Sequence, residues 1–288
     1  MVKEVGVMSK PDFKAVFWGV RGSIPVPGIH TVRYGGNTSC VQIQIGSRLL
    51  IMDAGTGIHR LGQELLKGSQ PINGDIFISH THWDHIQGFP FFAPAFIKGN
   101  SFNLYGQSKV NLNFGDLMRG QMMYEHFPVS LEQMGATITM HELVSGMTLE
   151  LGDGIEVKTL ESNHPGGCLC YRVNHAGRSC CYLTDMEHSP PTDQALTEFA
   201  AEADLIIYDA NFTDDEYYGV GGLPSRIGWG HSTWQAGIKL LHAAHAKQLI
   251  LFHHSNFHND DDMDDIEKDA CNQYVNVAAA REGMVISL

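Results

Sequence analysis

Asp75-Ile-Phe-Ile-Ser-His-Thr-His-Trp-Asp-His85 is the stretch on which the reading of this chain turns. Its first half, Asp75–Ser79, is a short apolar run with strand character. Its second half places four ligand-type side chains, His80, His82, Asp84 and His85, within six positions. In extended chain residues 80, 82 and 84 point to one side, so two imidazoles and a carboxylate converge at a strand end. His85 follows at the turn. Imidazole and carboxylate suit Zn²⁺, Mn²⁺ or Fe²⁺. Four such groups exceed what one ion takes while leaving room for water, so the spacing points to a two-metal centre.

Working outward, β-rich runs recur: Lys14–Trp18, Cys40–Ile45, Arg48–Met52 and Phe102–Tyr105 before the midpoint of the chain. Ile155–Leu160, Leu169–Val173, Ser179–Leu183, Asp204–Tyr208 and Gln248–Phe252 follow. Helical patterns are fewer: Gly57–Lys67, Ser232–Ala246 with Ser232 or Thr233 as N-cap, and about Asp260 to Ala280. The acidic opening of the last, DDDMDD, suits a helix start through the macrodipole. Strands dominate and no low-complexity linker intervenes. This predicts two packed sheets with helices outside, built from two half-chains in a single domain, 1–288. The stretch 88–135 carries thirteen Phe, Met and Tyr side chains, among them Met123 and Phe127. It is expected to form a helical, aromatic cap with its own small core, or an apolar lid over a pocket.

Composition bounds the partners. With 19 Lys+Arg against 32 Asp+Glu the net charge is −13, and 16 residues are histidine. Surplus acid disfavours broad binding to nucleic acid or an anionic membrane, which needs surplus Lys and Arg. No apolar run approaches a membrane span, and residues 1–14 lack the apolar core of a signal peptide. The six cysteines form no CxxC pair, which implies reduced thiols and a cytoplasmic protein, with Cys168 or Cys170 the alternative metal thiolates.

HTHWDH resembles the HxHxDH signature of the metallo-β-lactamase superfamily. The resemblance implies an α/β fold, an αββα sandwich of two packed mixed sheets flanked by helices, with a dinuclear site at one sheet edge. It covers most of the chain in order. Asp53 in LLIMDAGTG matches the aspartate that supports the ligands. His164 in ESNHPGG matches the third histidine motif, and Asp185 in CYLTDME the carboxylate that bridges the ions. His253 in LILFHHS matches the final histidine, with His254 the adjacent alternative. One ion would take His80, His82, His164 and Asp185; the other, Asp84, His85, Asp185 and His253. Zinc is the first expectation for both, with manganese or iron as alternatives.

LIIYDANF (205–212) and GHST (230–233) resemble paired segments of the phosphodiesterase branch, which includes ribonuclease Z. There a carboxylate, matched by Asp209, orients a histidine, matched by His231, that protonates the leaving oxygen. The glycine-rich opening Gly19–Gly28 with Arg33–Ser39 also matches this branch. It suggests Arg21 and Asn37 at the phosphate, or turns without a ligand. Trp229 is expected to stack on the substrate, and Ser232 to line the site or cap a helix. Only 20 residues separate His164 from Asp185, where ribonuclease Z commonly inserts a basic arm. The expected enzyme is thus a hydrolase of a small phosphodiester or nucleotide, a 3′,5′-cyclic nucleotide first, with no large nucleic-acid or membrane partner and a homodimer possible. A lactone or thioester hydrolase on the same centre, and a non-catalytic metal sensor, are the alternatives.

Overall fold

Residues 13–68 and 70–288 are described by the structure, a computed structural model. The opening residues read above for a signal peptide lie largely outside this range. The first half of the chain supplies β1 (Phe13–Gly19), β2 (Cys40–Ile45), β3 (Arg48–Met52), β4 (Asn73–Phe77), β5 (Ser101–Gln107) and β6 (Thr137–Leu143). The second half supplies β7 (Thr148–Glu150), β8 (Ile155–Ser162), β9 (Cys168–His175), β10 (Arg178–Leu183), β11 (Leu205–Asp209), β12 (Leu249–Phe252), β13 (Val277–Ala279) and β14 (Val285–Ser287). Two seven-stranded sheets result, ordered β14-β1-β2-β3-β4-β5-β6 and β13-β12-β11-β10-β9-β8-β7. Each is antiparallel on one side and parallel on the other: β3 to β6 run parallel in the first, β10 to β13 in the second.

The pattern of burial explains the layers. In β1 the apolar side alternates, Phe13, Ala15 and Phe17 turning inward. In β3 and β12, buried on both faces, the run is continuously apolar, as expected of strands covered by a second sheet and by helices. Phe17, Phe77, Tyr171, Tyr182 and Phe252 fill the space between the sheets. Outside the second sheet lie α4 (Pro190–Phe199), α6 (Trp234–Ala243) and α7 (Asp260–Gln273), and outside the first lie α1 (Gly57–Leu65) and α3 (Phe114–Gly120). The architecture is the αββα sandwich. Among the described residues no helix is long and apolar enough to cross a membrane.

Three sequence expectations are revised here. β4 ends at Phe77, and Trp83–Ile86 is the short helix α2, so Asp84 and His85 project from a helical turn rather than in line with His80 and His82. Inside 88–135 the expected run Phe102–Tyr105 is part of β5 in the first sheet, and the revision concerns the cap's core: Phe89, Phe92, Phe114, Met118 and Met122 pack with α1 against that sheet's outer face instead of among themselves. The third is α7, which stops at Gln273 instead of Ala280; Val277–Ala279 leaves it to pair in parallel with β12. Its start is as expected: Asn259 accepts from Asp261 and Asp262 N–H groups, and Asp260 to Asp262 occupy the first turn.

Candidate metal centre

The residues singled out in the sequence meet where the parallel strands of both sheets end. Asp53 follows β3, His80 and His82 follow β4, His164 follows β8, Asp185 follows β10, Asp209 closes β11 and His253 follows β12. Strand carboxyl ends collect side chains here because the next residue turns out of the ladder and its side chain is free to face the cleft. Asp53, Asp185 and His253 make that turn with left-handed backbone, φ +61°, +49° and +58°. Such conformations cost non-glycine residues about 1–3 kcal/mol and concentrate at functional sites.

Among the described residues four overlapping groups have ligand spacing. Two of them bring His231 together with His164 and Asp185, or with Asp209 and His253; the other two hold the expected ligands, His80, His82 and His164 in one cluster and Asp84, His85, Asp185 and His253 in the other. Asp185 spans both. Its Oδ1 lies 3.1 Å from His85 Nε2 and 3.2 Å from His253 Nε2, while its Oδ2 lies 3.6 Å from His80 Nε2 and 3.8 Å from His164 Nε2. His82 Nδ1 is 3.2 Å from His164 Nε2, and Asp84 Oδ2 is 3.2 Å from both His85 and His253 Nε2. Donors about 2.0–2.2 Å from a tetrahedral zinc stand about 3.3–3.6 Å apart, so both clusters have the spacing of ligand sets. Among the described residues the buried His80 Nε2 has no hydrogen-bond partner, which a cation would supply. Burial holds His80, His82 and His164 below the ordinary imidazole range, leaving lone pairs available. Burial resists charge on Asp185, yet the imidazoles of His253, His85 and His80 keep it ionised, well below the usual carboxylate range.

A surrounding layer fixes these donors. Asp53, fully buried, accepts from Ser79 N–H and hydroxyl at 2.7 and 2.8 Å, from Tyr182 hydroxyl at 2.8 Å, and meets His85 Nδ1 at 2.7 Å. Tyr182 comes from the second sheet, so the bond ties the layers together under the site. His164 Nδ1 donates to Gly230 carbonyl at 2.8 Å, which turns Nε2 to the cluster. Gly230 has φ +83°, and a Cβ there would collide with Pro165 and the His164 ring. Ser23 N–H donates to Asp84 Oδ2 at 2.7 Å.

Next to the clusters, Asp209 Oδ2 accepts from His231 Nδ1 at 2.9 Å. Burial opposes a charge on His231, but Asp209 outweighs it and raises the pKa to about 9. Glu187, which sequence reading passed over, sets this loop: it accepts from Gly228 and Gly230 N–H at 2.6 and 2.9 Å and from Tyr217 hydroxyl at 2.7 Å. Its only signal in the sequence was its place two residues after Asp185. An open cavity of about 700 Å³ adjoins His80 and His82, with Lys109, Asn111 and Glu161 in its wall.

His253, preferred over its neighbour from the sequence, is the histidine in the cluster, and His254 turns away, its Nε2 2.9 Å from Ala280 carbonyl. Other assigned roles change. Arg21 is fully buried: its Nε donates to Gly35 carbonyl at 2.8 Å and its Nη1 to the carbonyls of Ser255 and His258 at 3.1 and 2.7 Å, while Nη2 has no partner among the described residues, so the side chain is enclosed in the interior rather than presented to a phosphate in the cleft. What the glycine-rich opening brings near the site is Gly22, where a Cβ would strike the His253 ring. Asn37 is tied to Glu282 Oε1 at 3.0 Å and carries a loop rather than lining the cleft. Ser232 is buried between His188 and Tyr208, and Thr233 is the helix cap, accepting from Ala236 N–H. Trp229 stays half-exposed beside His231. Cys168 and Cys170 are buried thiols in β9, raised by desolvation, and stand outside both donor clusters.

With that geometry in place, residues 48–254 match the family model described as "beta-lactamase superfamily domain". The chain belongs to this family. It is a hydrolase of the metallo-β-lactamase fold. A ribonuclease Z of Thermoplasma volcanium is 24% identical over 85% of this chain and 88% of its own length. Human tRNase Z, short form, superimposes with a TM-score of 0.67 at 22% identity, covering 95% of this chain and 98% of that one. Zn²⁺-bound PqqB from Methylobacterium extorquens gives a TM-score of 0.70 at 15% identity, covering 96% and 100%.

These names overturn one expectation, that large nucleic acid is excluded as a partner. The superfamily relatives matched along most of this chain are ribonucleases Z. The exclusion drew on the short span between His164 and Asp185, which leaves no room for a basic arm, and on net charge, which averages the whole surface whereas a phosphate meets only the cleft.

Proposed function

We propose that this chain is a dinuclear metal-dependent phosphodiesterase. His80, His82, His164 and Asp185 hold one divalent ion; Asp84, His85, Asp185 and His253 hold the other. The observation that carries the reading is the Asp209–His231 pair, 2.9 Å apart, at the edge of two clusters that share Asp185. An acid poised there has a use in expelling an alkoxide from phosphorus. The ions, when bound, supply Lewis acidity: they offset charge on the phosphoryl oxygens and activate water at neutral pH.

The chain's own residues do the rest. Asp209 takes the Nδ1 proton of His231 as a hydrogen bond, so that the Nε2 proton is the one available to the leaving oxygen. Asp84 is aimed by Ser23 N–H and orients the attacking water. Asp53 holds His85, and Gly230 carbonyl holds His164, in the tautomers that present Nε2. Among small substrates a 3′,5′-cyclic nucleotide, opened to the monophosphate, is the first choice. Zinc is the first choice of metal, in keeping with the imidazole-rich donors.

A second reading has its own support: the relatives matched over most of the chain bear the name ribonuclease Z. Under it the scissile bond lies in RNA. One experiment covers both. Bis-p-nitrophenyl phosphate, cyclic AMP, a transfer-RNA precursor and an acyl lactone are offered to metal-loaded wild type and His231→Ala. Diester turnover that falls by about 10²–10⁴-fold in the variant, with metal content retained, is the expected result. Undiminished turnover would remove His231 from its role, and hydrolysis of the lactone alone would overturn the phosphodiesterase reading.

A further inference from the structure

Arg226 lies in the loop that leads to His231. Arg33, Arg48, Arg60, Arg119 and Arg281 each meet a carboxylate. Arg21 and Arg172 donate to carbonyls, and Arg178, at the start of β10, is without a side-chain partner among the described residues but far along the chain from this loop. The Arg226 guanidinium has no hydrogen-bond or ion-pair partner among the described residues. It is held by rings instead. Its Cζ lies 4.9 Å from the Phe212 ring centroid, 5.2 Å from Trp229 and 5.5 Å from Phe257. Aromatic faces restrain the plane of a guanidinium without using its five N–H donors, which lie at its edge.

The place is set as firmly as the orientation. Arg226 N–H donates to Tyr217 carbonyl at 2.9 Å, and Trp229 N–H to Arg226 carbonyl at 3.1 Å. Glu187 clamps Gly228 and Gly230, the residues on either side of Trp229. The Phe212 ring stands 6.0 Å from the His231 ring, so one aromatic side chain separates the free guanidinium from the proposed acid. Trp229 and Phe257 are 54% and 69% exposed, leaving faces open beside it. In a chain of net charge −13, a half-buried cation with unspent donors at this position calls for an anionic ligand. Its planar fork matches phosphate, and the flanking rings match a base.

We propose that Arg226, between Trp229 and Phe257, binds a second phosphate on the leaving-group side of the scissile one. It thereby selects linear nucleotide diesters that carry a neighbouring phosphate over those with a single phosphate. This rests on the phosphodiesterase reading, and on His231 facing the leaving oxygen.

The test compares kcat/KM for the dinucleotide UpU with that for pUpUp, which adds a phosphate at each end, in metal-loaded wild type, Arg226→Gln and Arg226→Lys. Taken as a ratio within each protein, the comparison cancels any general change in activity. Wild type should favour pUpUp by about tenfold or more, through KM. The ratio should fall to near one in Arg226→Gln and be kept in part by Arg226→Lys. An undiminished ratio in Arg226→Gln, or a ratio near one in wild type, would overturn the proposal. Calorimetric binding of uridine 3′,5′-bisphosphate against uridine separates the two readings. If wild type cleaves no diester, the phosphodiesterase reading fails, while equal bisphosphate affinity in wild type and Arg226→Gln overturns the anion site itself.

Discussion

Asp185 divides its two oxygens between two groups of imidazoles, and Asp53 stands behind one of them with four hydrogen-bonding contacts. Replacing Asp53 by Asn removes the charge and leaves one oxygen where two now serve four contacts, so either Ser79 N–H or the His85, Tyr182 and Ser79 side chains lose their acceptor. Asp53→Asn should therefore weaken metal binding by about 10–100-fold, measured by competition with a chromophoric chelator. The Asp209–His231 pair makes a prediction with a sign. Burial favours neutral His231, and Asp209 raises its pKa to about 9, so the acid stays protonated through neutral pH. In Asp209→Asn the raising partner is gone, the folded pKa falls, and the proton is lost at lower pH. The alkaline limb of kcat should move to lower pH in this variant, with metal content held. Bound cations lower both pKa values, so the direction of the difference is the observable. A limb that stays in place would show that His231 is not the group it reports. At this scale much of the site was legible, because His80, His82, Asp84 and His85 lie within six residues and their types name their chemistry. Glu187 and Arg226 were not: a carboxylate that clamps a distant loop and a guanidinium among three rings have no local pattern.

Strand ends and helix starts carry the site, and their reliability as sequence signals follows from how local their causes are. Cys40–Ile45 and Arg48–Met52 were legible to the residue, since alternating or continuous apolar runs are bounded by a Gly-Ser turn. β6, β7, β13 and β14 were missed, and all four lie at the ends of the sheets' strand orders. Val277–Ala279 takes its form from the edge of β12 that it covers, and a three-residue run has no period of its own. Helix α6 shows the opposite case, with Thr233 accepting from Ala236 N–H and donating to Asp214 Oδ1 at 2.6 Å. Thr233→Ala should cost about 1–2 kcal/mol, read as a lower urea midpoint with an unchanged m-value. The helix also follows directly on His231, so this variant tests whether loss of the cap alone disturbs turnover.

Across the whole molecule, the donor clusters draw on both sheets: His80, His82, Asp84 and His85 from the first half, and His164, Asp185 and His253 from the second. An ion held by both binds the folded state and not the separated halves, so metal should add stability by mass action. Chelation should lower the melting temperature measured by calorimetry, with about 4 kcal/mol lost relative to protein in metal at 1,000 times Kd. An unchanged melting temperature on removal of a verified metal would argue against ligands shared between the layers. Two dications would bring the net charge from −13 to about −9, with the gain confined to the cleft. That is why composition was a poor guide to partners.

The sequence by itself determined the donor types, their order along the chain and their positions at strand ends, because each depends on a few neighbouring residues. Only the tertiary structure decided which donors stand within ligand distance of one another, a grouping that the family resemblance implied and that the residues alone did not, since Asp84 and Asp185 are 101 residues apart and meet across two sheets. It chose His253 over His254, where one step of backbone turn sends neighbouring rings to opposite sides. It also withdrew Arg21 into the interior, where three carbonyls compete successfully for the guanidinium, and left Arg226 beside the cleft with its donors free. Both are arginines next to glycine-containing turns; what separates them is the set of acceptors that the packed sheets bring within reach.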